Sequence, residues 1–544
     1  MSLRPLAALL AAAALAACSS SSSSTTTPAV EHVLLVSVDG LHQLDLNGYV
    51  AAHPTSALAS LAATGVTYKN ARCPTPSDSF PGILALVTGG SPKTTGVYYD
   101  DSYDRTMFPP GSDCSGSPGT EVLYDESVDV DLGQLLSGGL DASRLPRALV
   151  NGACEPVYPH QFVKVNTLFE VVRAAGGVTA WSDKHYAYDL VNGPSGQGVM
   201  DLYTPEINSD VVNGGTVNGV DLAGSKAACD ATNSLGAAKV TDYTTCLPTV
   251  EAYDDVKVRA LLNQIDGKNS DGLFPQAVPT VFGMNFQAVS VGQKLTPCGY
   301  ADAAGTPTAC LADALAHTDA SLGKLVAELK SKGLLETTLI VITAKHGQSP
   351  VDRSKVAMEI ATLGNVTDPA GLVSAGDPAY SEGSQAGGHL MADDVGIVWL
   401  QSPTSVAAVV TQLESNAAAI HADALPAGTV FTQSITAGAA LAALFGDPAG
   451  ADPVAQARAP SVFIQPNAGV IYSGSSKKRA EHGGGTPDDT AVALLISRPA
   501  IAKATITDAV KTTQVAPTIL KQLGLDPARL QAVVKEGTAA LPGL

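Results

Sequence analysis

The chain has 544 residues, of which 45% are hydrophobic and 15% are charged, and its formal net charge is −19. This length and composition suit one large domain with insertions, or two domains. The acidic balance argues against nucleic acid or an anionic membrane surface as a general partner. Small phosphorylated substrates remain compatible with it, because a local site can be positive on a negative protein.

The N-terminus has the pattern of a targeting segment. A single positive charge at Arg4 precedes the apolar run Leu6–Ala17, which is too short to span a membrane as a mature helix. Small residues then precede Cys18, as in a bacterial lipoprotein signal. This predicts that residues 1–17 are a signal peptide and that Cys18 is lipidated. The alternative is an ordinary secretory signal with an incidental cysteine.

A Ser/Thr-rich tether over residues 18–29 follows the predicted lipid attachment. We therefore expect a membrane-anchored lipoprotein of the bacterial cell envelope that faces the periplasm or the exterior. The membrane would be a partner through the lipid anchor only, since no other stretch is long and apolar enough to span a bilayer.

The first predicted core element is a buried strand within residues 31–40, which ends in the carboxylate of Asp39. A short helix is predicted at residues 56–65. The stretch 71–96 then joins a polar loop to an apolar helix, with Ser79 at the junction. A serine there lies at the positive end of a helix dipole, among N–H groups that suit a phosphate. Taken alone, a serine before a helix is more often an N-cap.

The middle of the chain predicts strands that alternate with helices. Residues 102–160 and 185–275 are predicted to be loop-rich insertions. The regular elements are helices at 166–175, 256–265 and 311–332 and strands at 177–181 and 279–286. This alternation favours an α/β fold with a mostly parallel sheet flanked by helices.

A late buried strand, residues 338–347, ends in Lys345 and His346. Residues 355–475 have strands and Ala-rich helices of their own and predict a small inserted α+β subdomain. The core would thus comprise 30–354 and 476–544, the latter part with His482, a strand at 491–496 and a closing helix at 510–523.

Polar residues follow the predicted core strands at several points. Ligands of open α/β sheets bind outside the carboxyl ends of the strands, so Asp39, Ser79, His346 and His482 are expected in one crevice. Further candidates for this crevice are Asp183, Lys184, His185, His389 and the basic run 477–479. Solvated loops and a solvated charged face are the ordinary alternatives for these.

Cysteine usage fits export. Of the eight cysteines, seven remain when Cys18 is set aside, so at least one is unpaired within the monomer. Cys73 is predicted to be that free cysteine, as a small buried residue. Disulfides are predicted for the pairs Cys229–Cys246, Cys298–Cys310 and, more loosely, Cys114–Cys154.

The ordered motifs resemble the alkaline phosphatase superfamily and, within it, the type I phosphodiesterase/nucleotide pyrophosphatase family. That family has Asp-Gly after the first strand, Ser or Thr followed by Phe-Pro, Asp-His-Gly after a late strand, and a final His-Gly. The corresponding residues here are Asp39-Gly40, Ser79-Phe80-Pro81, His346-Gly347 and His482-Gly483. The resemblance spans roughly residues 31–100, 310–350 and 480–525.

The resemblance implies an alkaline-phosphatase-like core and a site that hydrolyses phosphate esters through a covalent phospho-enzyme. Ser79 matches the nucleophile, and Asp39, His346 and His482 match ligands of divalent metal, with zinc the expected ion. Asp100 matches the residue that holds the phosphate.

The sequence also departs from the family pattern. Lys345 stands where the family has the Asp of Asp-His-Gly. Alignment on Gly292 places Val289 and Gln293 at the Asp and His that would bind the second metal. Because these changes remove two carboxylates and one imidazole, a two-zinc site is not expected, and fewer than two ions would bind.

Three outcomes stay open. In the first outcome, Lys345 replaces one metal charge and acts in catalysis, either by lowering the pKa of Ser79 or by binding a phosphoryl oxygen. Alternatively, one metal remains, held by Asp39, His482 and other groups. In the third outcome, catalysis is lost and binding is kept.

The leading hypothesis is an exported phosphoric ester hydrolase that uses Ser79 on a small phosphorylated substrate, either a phosphodiester or a phosphomonoester. The alternative is a catalytically weakened relative that binds an anionic ligand or an envelope partner. A sulfatase-type activity is less favoured, because Ser79-Phe80-Pro81-Gly82-Ile83 lacks the arginine of the Cys/Ser-x-Pro-x-Arg motif.

Overall fold

The computed structural model describes most of the chain beyond the predicted tether. The described residues are 29–207, 215–217, 219–232, 243–295, 298–302, 304–350, 369–381, 387–416, 433–466, 468–469, 471 and 479–544. Cys18, Lys477 and Lys478 lie outside them, as does the predicted signal peptide, so the expectations for these residues stay predictions.

The strands of the described chain begin and end as follows: β1 His32–Val38, β2 Gly65–Arg72, β3 Asp101–Asp104, β4 Thr120–Leu123, β5 Arg147–Val150, β6 Ala153–Pro156, β7 Ala180–Ser182, β8 Asp201–Tyr203, β9 Thr216–Val217, β10 Val220–Asp221, β11 Val281–Phe286, β12 Thr338–Thr343, β13 Ser349–Pro350, β14 His389–Ala392, β15 Gly396–Trp399, β16 Gln433–Ala437, β17 Val462–Pro466, β18 Ala480–Glu481, β19 Ala491–Val492, β20 Leu494–Ser497 and β21 Ala504–Lys511.

The α-helices are α1 Gln43–Ala52, α2 Ala57–Ala63, α3 Ser79–Thr88, α4 Pro92–Thr95, α5 Pro159–Phe162, α6 Leu168–Ala174, α7 Leu222–Thr232, α8 Leu247–Ile265, α9 Ala288–Lys294, α10 Ala309–Ser331, α11 Pro369–Gly376, α12 Val406–Asn416, α13 Gly438–Phe445, α14 Pro453–Arg458, α15 Pro487–Thr490, α16 Val515–Gln522 and α17 Gln531–Glu536.

A nine-stranded sheet forms the core, in the order β19-β2-β20-β12-β1-β11-β7-β8, with β21 also paired to β2. β1 runs parallel to both β11 and β12, whereas β20 runs antiparallel to β12 and β2. Every residue of β11 and β12 is buried, as expected for strands that helices cover on both faces. The predicted mostly parallel α/β sheet is confirmed.

Two predicted elements differ from the structure in extent or type. The helix predicted from residue 256 begins at Leu247, with a proline in its first turn, where a missing N–H costs little. The closing helix predicted over 510–523 is two elements, because β21 runs to Lys511 and α16 begins only at Val515. The helix α7 lies in a segment that its composition predicts to be loop-rich.

The segment before His482 contains a second, smaller sheet. Its strands pair antiparallel in the order β14-β15-β17-β16, and one of its faces packs on α11 and α12 around a separate apolar cluster. A further cluster joins this sheet to three tyrosines of the main part, Tyr98, Tyr99 and Tyr103. The α+β character of the insertion is therefore confirmed, while its predicted limits at 355 and 475 stay predictions.

The cysteine predictions agree with the structure. Disulfides join Cys114–Cys154, Cys229–Cys246 and Cys298–Cys310, and Cys73 is buried and free. Among the described helices, none combines the length and the apolar character that crossing a bilayer requires.

Candidate active site

The candidate site is the crevice at the carboxyl ends of β1 and β12, where α3 begins. Asp39 directly follows β1 and is 1% exposed. The chain turns sharply after it at Gly40, whose φ is +76° and whose added Cβ would lie 2.1 Å from Gln293 Oε1. Only glycine fits both constraints, and the turn leaves the Asp39 carboxylate at the end of the strand.

Helix α3 presents Ser79 to this crevice from its first position. The N-cap is Asp78, whose carboxylate accepts a hydrogen bond from the Phe80 N–H at 3.1 Å. The N-cap explanation for Ser79 is therefore wrong, because a neighbouring side chain already fills that role. The helix also packs directly on backbone, since a Cβ on Gly82 would lie 2.2 Å from the Lys345 carbonyl oxygen.

Ser79 and His346 form the closest predicted pair. The Ser79 hydroxyl lies 3.4 Å from His346 Nε2, and His346 Nδ1 lies 2.9 Å from the Gly347 carbonyl oxygen. A carbonyl can only accept, so Nδ1 carries the proton and Nε2 directs its lone pair at the serine. Burial, with His482 next in effect, holds the pKa of His346 well below its ordinary value. The imidazole is therefore neutral and free to accept a proton.

His482 lies against His346 rather than opposite it. The two rings are stacked, with centroids 3.8 Å apart and planes 3° from parallel. His482 Nδ1 is 3.0 Å from Glu481 Oε1, and its Nε2 is 3.8 Å from Asp78 Oδ1. Burial and then Lys294 lower the pKa of His482. Two stacked neutral imidazoles are the result.

Lys345 lies beneath the crevice. Its side chain is 0% exposed, and its Nζ is 3.4 Å from Asp183 Oδ1 and 3.6 Å from Asp39 Oδ2. Nζ also donates a 2.8 Å hydrogen bond to the Tyr188 hydroxyl, which in turn interacts with Ser79. Burial lowers the pKa of Lys345, while the two carboxylates oppose that effect. The Lys345 amine is thus held between two carboxylates under the serine.

Asp39 is an ionised carboxylate held by donors on several sides. Its Oδ2 accepts hydrogen bonds from Asn285 Nδ2 at 3.0 Å and from Gln287 Nε2 at 2.7 Å. Its Oδ1 lies 3.7 Å from His346 Nε2. Burial alone would raise the pKa of Asp39, but the charge of Lys345 and the hydrogen bond from Asn285 oppose it, and the pKa lies below its usual range.

Asp100 lies at the edge of the crevice beside Asp78, whose Oδ2 accepts the Asp100 N–H at 3.2 Å. Burial, followed by the charge on Asp78, raises the pKa of Asp100 well above its ordinary value. A protonated carboxyl has the shape of an asparagine amide and also one donor. Lys184, whose pKa is raised because Asp39 and Asp100 outweigh its burial, supplies a second cation.

The donor set does not fit a two-metal site. Val289 is a buried aliphatic side chain, and Gln293 donates its Nε2 to the Gly40 carbonyl oxygen at 2.9 Å. Lys345 places an ammonium where the family pattern has a third carboxylate. Across the described part of the chain, no three His, Cys, Asp or Glu ligand atoms converge at this crevice.

Some residues of the site escaped prediction. Tyr188 links Lys345 to Ser79, but nothing in its sequence context signals that role. Asp78 caps α3 and faces His482. The motif Ser77-Asp78-Ser79 is the sequence signal from which this cap could have been predicted. Asp183 does enter the crevice, as expected, whereas His389 lies elsewhere with Asp101 and Glu121.

His185 lies beside the crevice but has a different environment from the one predicted. It is 2% exposed rather than solvated, and its ring meets the Tyr188 ring edge to face at 5.1 Å. Burial, followed by Lys184, holds the pKa of His185 well below its ordinary value. It is therefore a neutral packing residue next to Tyr188.

Solved structures with the same fold include phosphoesterases. The chain superposes on an inactive variant of murine ectonucleotide pyrophosphatase/phosphodiesterase 5 in complex with AMP, with a TM-score of 0.52 and 13% identity, covering 91% of this chain and 96% of that one. The wild-type alkaline phosphatase PafA gives a TM-score of 0.54 at 12% identity, covering 92% of this chain and 97% of that one. These likenesses confirm the predicted alkaline-phosphatase-like fold.

Sequence comparison identifies the family. No curated protein sequence matches the chain, but the family model described as type I phosphodiesterase/nucleotide pyrophosphatase matches residues 33–488. That span contains β1 except its first residue, α3, the Lys345-His346 pair and His482. The chain therefore belongs to the type I phosphodiesterase/nucleotide pyrophosphatase family of phosphoric ester hydrolases.

Proposed function

We propose that this chain hydrolyses phosphate esters with Ser79 as the nucleophile, and that a buried ammonium takes the place of the two-metal site. One observation carries the proposal, namely that the Ser79 hydroxyl lies 3.4 Å from the unprotonated Nε2 of His346. This distance is at the outer limit of a hydrogen bond. Such bonds are often long in a free enzyme and tighten when substrate binds.

The first step transfers the phosphoryl group to the enzyme. Ser79 Oγ attacks phosphorus as His346 Nε2 takes the hydroxyl proton, the P–O bond to the leaving group breaks, and the leaving oxygen receives that proton. Asp39 Oδ1, 3.7 Å from Nε2, stabilises the imidazolium while it exists. Water then attacks the phosphoserine by the reverse proton path and restores Ser79.

Stabilisation of the phosphoryl oxygens comes from the start of α3 and from Lys184. The helix begins at Ser79, so its free N–H groups and dipole favour an anion there. Lys184 is partly exposed and interacts electrostatically with both Asp39 and Asp100. Asp100, protonated, would donate to a phosphoryl oxygen as an asparagine would.

Lys345 acts as a positioning residue. Because its side chain is fully buried and reaches Ser79 through Tyr188, it does not touch the substrate. Its charge favours the alkoxide form of Ser79 and holds Asp39 in place. Of the outcomes that the sequence left open, this geometry supports the one in which Lys345 lowers the pKa of the serine.

The proposed substrate is a small phosphorylated molecule. The AMP complex of the murine relative supports a nucleotide-like ester. The test is a rapid acid quench of the full-length protein with an activated phosphodiester, followed by mass spectrometry. A phosphoryl adduct on the peptide that contains Ser79 is expected, and turnover with the adduct on another residue would contradict the proposal.

The pH profile should show an acid limb below 6.5, the ordinary value for histidine. Because the pKa of His346 is lower in the folded chain, the unfolded chain binds more protons just below pH 6.5. Stability from this group is therefore present above 6.5 and is lost as pH falls toward the native pKa. We expect kcat/KM to fall only in that more acidic range.

A matched variant tests the cause of this shift. After burial, His482 is the largest cause of the lowered pKa of His346. His482→Asn should therefore raise that pKa and move the acid limb of kcat/KM to higher pH. The position of the limb, rather than the absolute rate, is the quantity to compare. An acid limb at or above 6.5 in the unsubstituted protein would show that His346 is not the base.

A catalytically silent binding protein is the alternative function. It is favoured by the replacement of ligand residues by Lys345, Val289 and Gln293. That alternative predicts saturable binding of a nucleoside monophosphate without turnover or adduct formation. Turnover that depends on Ser79 would exclude it.

We also propose that the chain is exported and tethered by a lipid on Cys18. Three disulfides in the described chain support an oxidising compartment. A lipid anchor and a small soluble substrate are compatible, because the tether at residues 18–29 would separate the site from the membrane.

A further inference from the structure

A second cluster of ligand-type side chains lies outside the crevice. One ligand atom from each of Asp101, Glu121 and His389 falls within 4.8 Å of the other two. These residues come from distant parts of the sequence and from different elements. In the described part of the chain, this is the one group of three such residues with converging atoms.

The backbone explains why the two carboxylates meet. Asp101 begins β3 and pairs with Leu123 of the antiparallel β4, whereas Glu121 pairs with Tyr103. Asp101 and Glu121 are therefore diagonal neighbours on one face of this hairpin, because alternate residues of a strand share a face. Like charges at neighbouring positions of a hairpin face disfavour each other, and a bound cation would offset that repulsion.

His389 reaches the same point from the inserted sheet. It is the first residue of β14, which packs against β3. The residue is 4% exposed, and its Nε2 lies 2.9 Å from Asp101 Oδ1. An imidazole nitrogen and two carboxylate oxygens thus converge at the junction between the hairpin and the insertion.

We propose that Asp101, Glu121 and His389 bind one Zn²⁺ ion. Zinc takes nitrogen and carboxylate ligands at about 2.0–2.2 Å, so ligand atoms of a tetrahedral site lie about 3.4 Å apart. Atoms within 4.8 Å of one another reach that arrangement through small side-chain rotations. Two carboxylates balance the charge of a divalent ion, and the buried imidazole favours zinc over calcium or magnesium, which prefer oxygen ligands.

This site is separate from the crevice but close to it. Asp101 directly follows Asp100, whose N–H donates to the cap residue Asp78. The ion would fasten the β3–β4 hairpin to β14 and thereby fix this edge of the crevice. It shares no ligand with Asp39, His346 or His482, so substitutions at Glu121 and His389 distinguish zinc at the hairpin from zinc in the crevice.

Zinc binding to the metal-stripped, full-length protein tests the proposal. Calorimetric titration with ZnCl₂ is expected to show about one equivalent per chain, and cobalt(II) in its place should give visible absorption bands of a protein-bound ion. Zinc should also raise the thermal midpoint. Glu121→Gln, which keeps the shape of the side chain, and His389→Ala should each remove this binding.

Matched controls keep the outcome decisive. His317→Ala removes another histidine that lies beside a carboxylate outside the cluster, with His317 Nε2 3.6 Å from Asp255 Oδ1, and should leave zinc binding intact. Thermal midpoints without zinc show whether Glu121→Gln and His389→Ala remain folded. The proposal is overturned if the native chain binds no zinc, or if Glu121→Gln, shown to be folded, binds it as tightly. Hydrolysis enters none of these readouts, so the result is independent of the proposed function.

Discussion

Ser79→Ala is expected to lower kcat/KM for phosphate ester hydrolysis by on the order of 10³-fold or more, since loss of a nucleophile removes the covalent route. The hydroxyl makes no cap, because Asp78 accepts the Phe80 N–H, so α3 should form unchanged. Initial rates with an activated diester, together with a thermal melt, measure both effects.

The matched control is Ser56→Ala. Ser56 is a true N-cap, whose hydroxyl accepts the Ala59 N–H at 3.1 Å at the start of α2. Its loss should cost about 1 kcal/mol of folding free energy and leave hydrolysis unchanged. If Ser79→Ala retained the native rate, the nucleophile would have to be another group and the proposed mechanism would be abandoned.

Lys345→Met is expected to destabilise the fold by about 3–5 kcal/mol, because it leaves charged partners buried without their cation. The Lys345 ammonium lies 3.4 Å from Asp183 and 3.6 Å from Asp39, with no exposure of its side chain. Activity per folded molecule should also fall, because the Lys345 charge would no longer act on Ser79 through the Tyr188 hydroxyl. Urea unfolding and rates measured well below the melting transition separate these effects.

Lys324→Met serves as the control for a lost lysine charge. Lys324 Nζ is 3.1 Å from Asp255 Oδ1, but its side chain is 51% exposed. Surface pairs of this kind contribute about 0–1 kcal/mol. An equally small effect at Lys345 would mean that the buried amine carries no charge in the folded protein, and the fixed-cation proposal would fail.

The residues around the crevice that depart from the family pattern form a chemically consistent set. A cation at residue 345 repels divalent metal, and a valine at 289 and a glutamine at 293 remove ligands from the second position. The buried Asp39 carboxylate would be uncompensated without some positive charge, and Lys345 supplies it. Loss of ligands and gain of an ammonium are therefore consistent with the proposal that Lys345 takes the place of the two-metal site.

Much of the fold followed from local patterns. The continuous apolar strands β1, β11 and β12 predicted a sheet covered on both faces, and their alternation with helices predicted its parallel core. Two disulfides, Cys229–Cys246 and Cys298–Cys310, followed from short sequence separations in loop-rich segments, and Cys114–Cys154, with a sequence separation of 40, was predicted only loosely. The α7 helix was missed, because its Ala- and Gly-containing sequence lies among turn-forming residues with weak periodicity.

The sequence by itself determined which residues stand at the ends of the core strands or at the start of a helix, so Asp39, Ser79, His346 and His482 were predicted to meet. Only the tertiary structure decided how they meet. Lys345 contacts Tyr188, which is 157 residues away, and the rings of His346 and His482 stack. The physical reason is that strand ends are set by local hydrophobic periodicity, whereas side-chain partners are set by packing between segments that are distant in the chain.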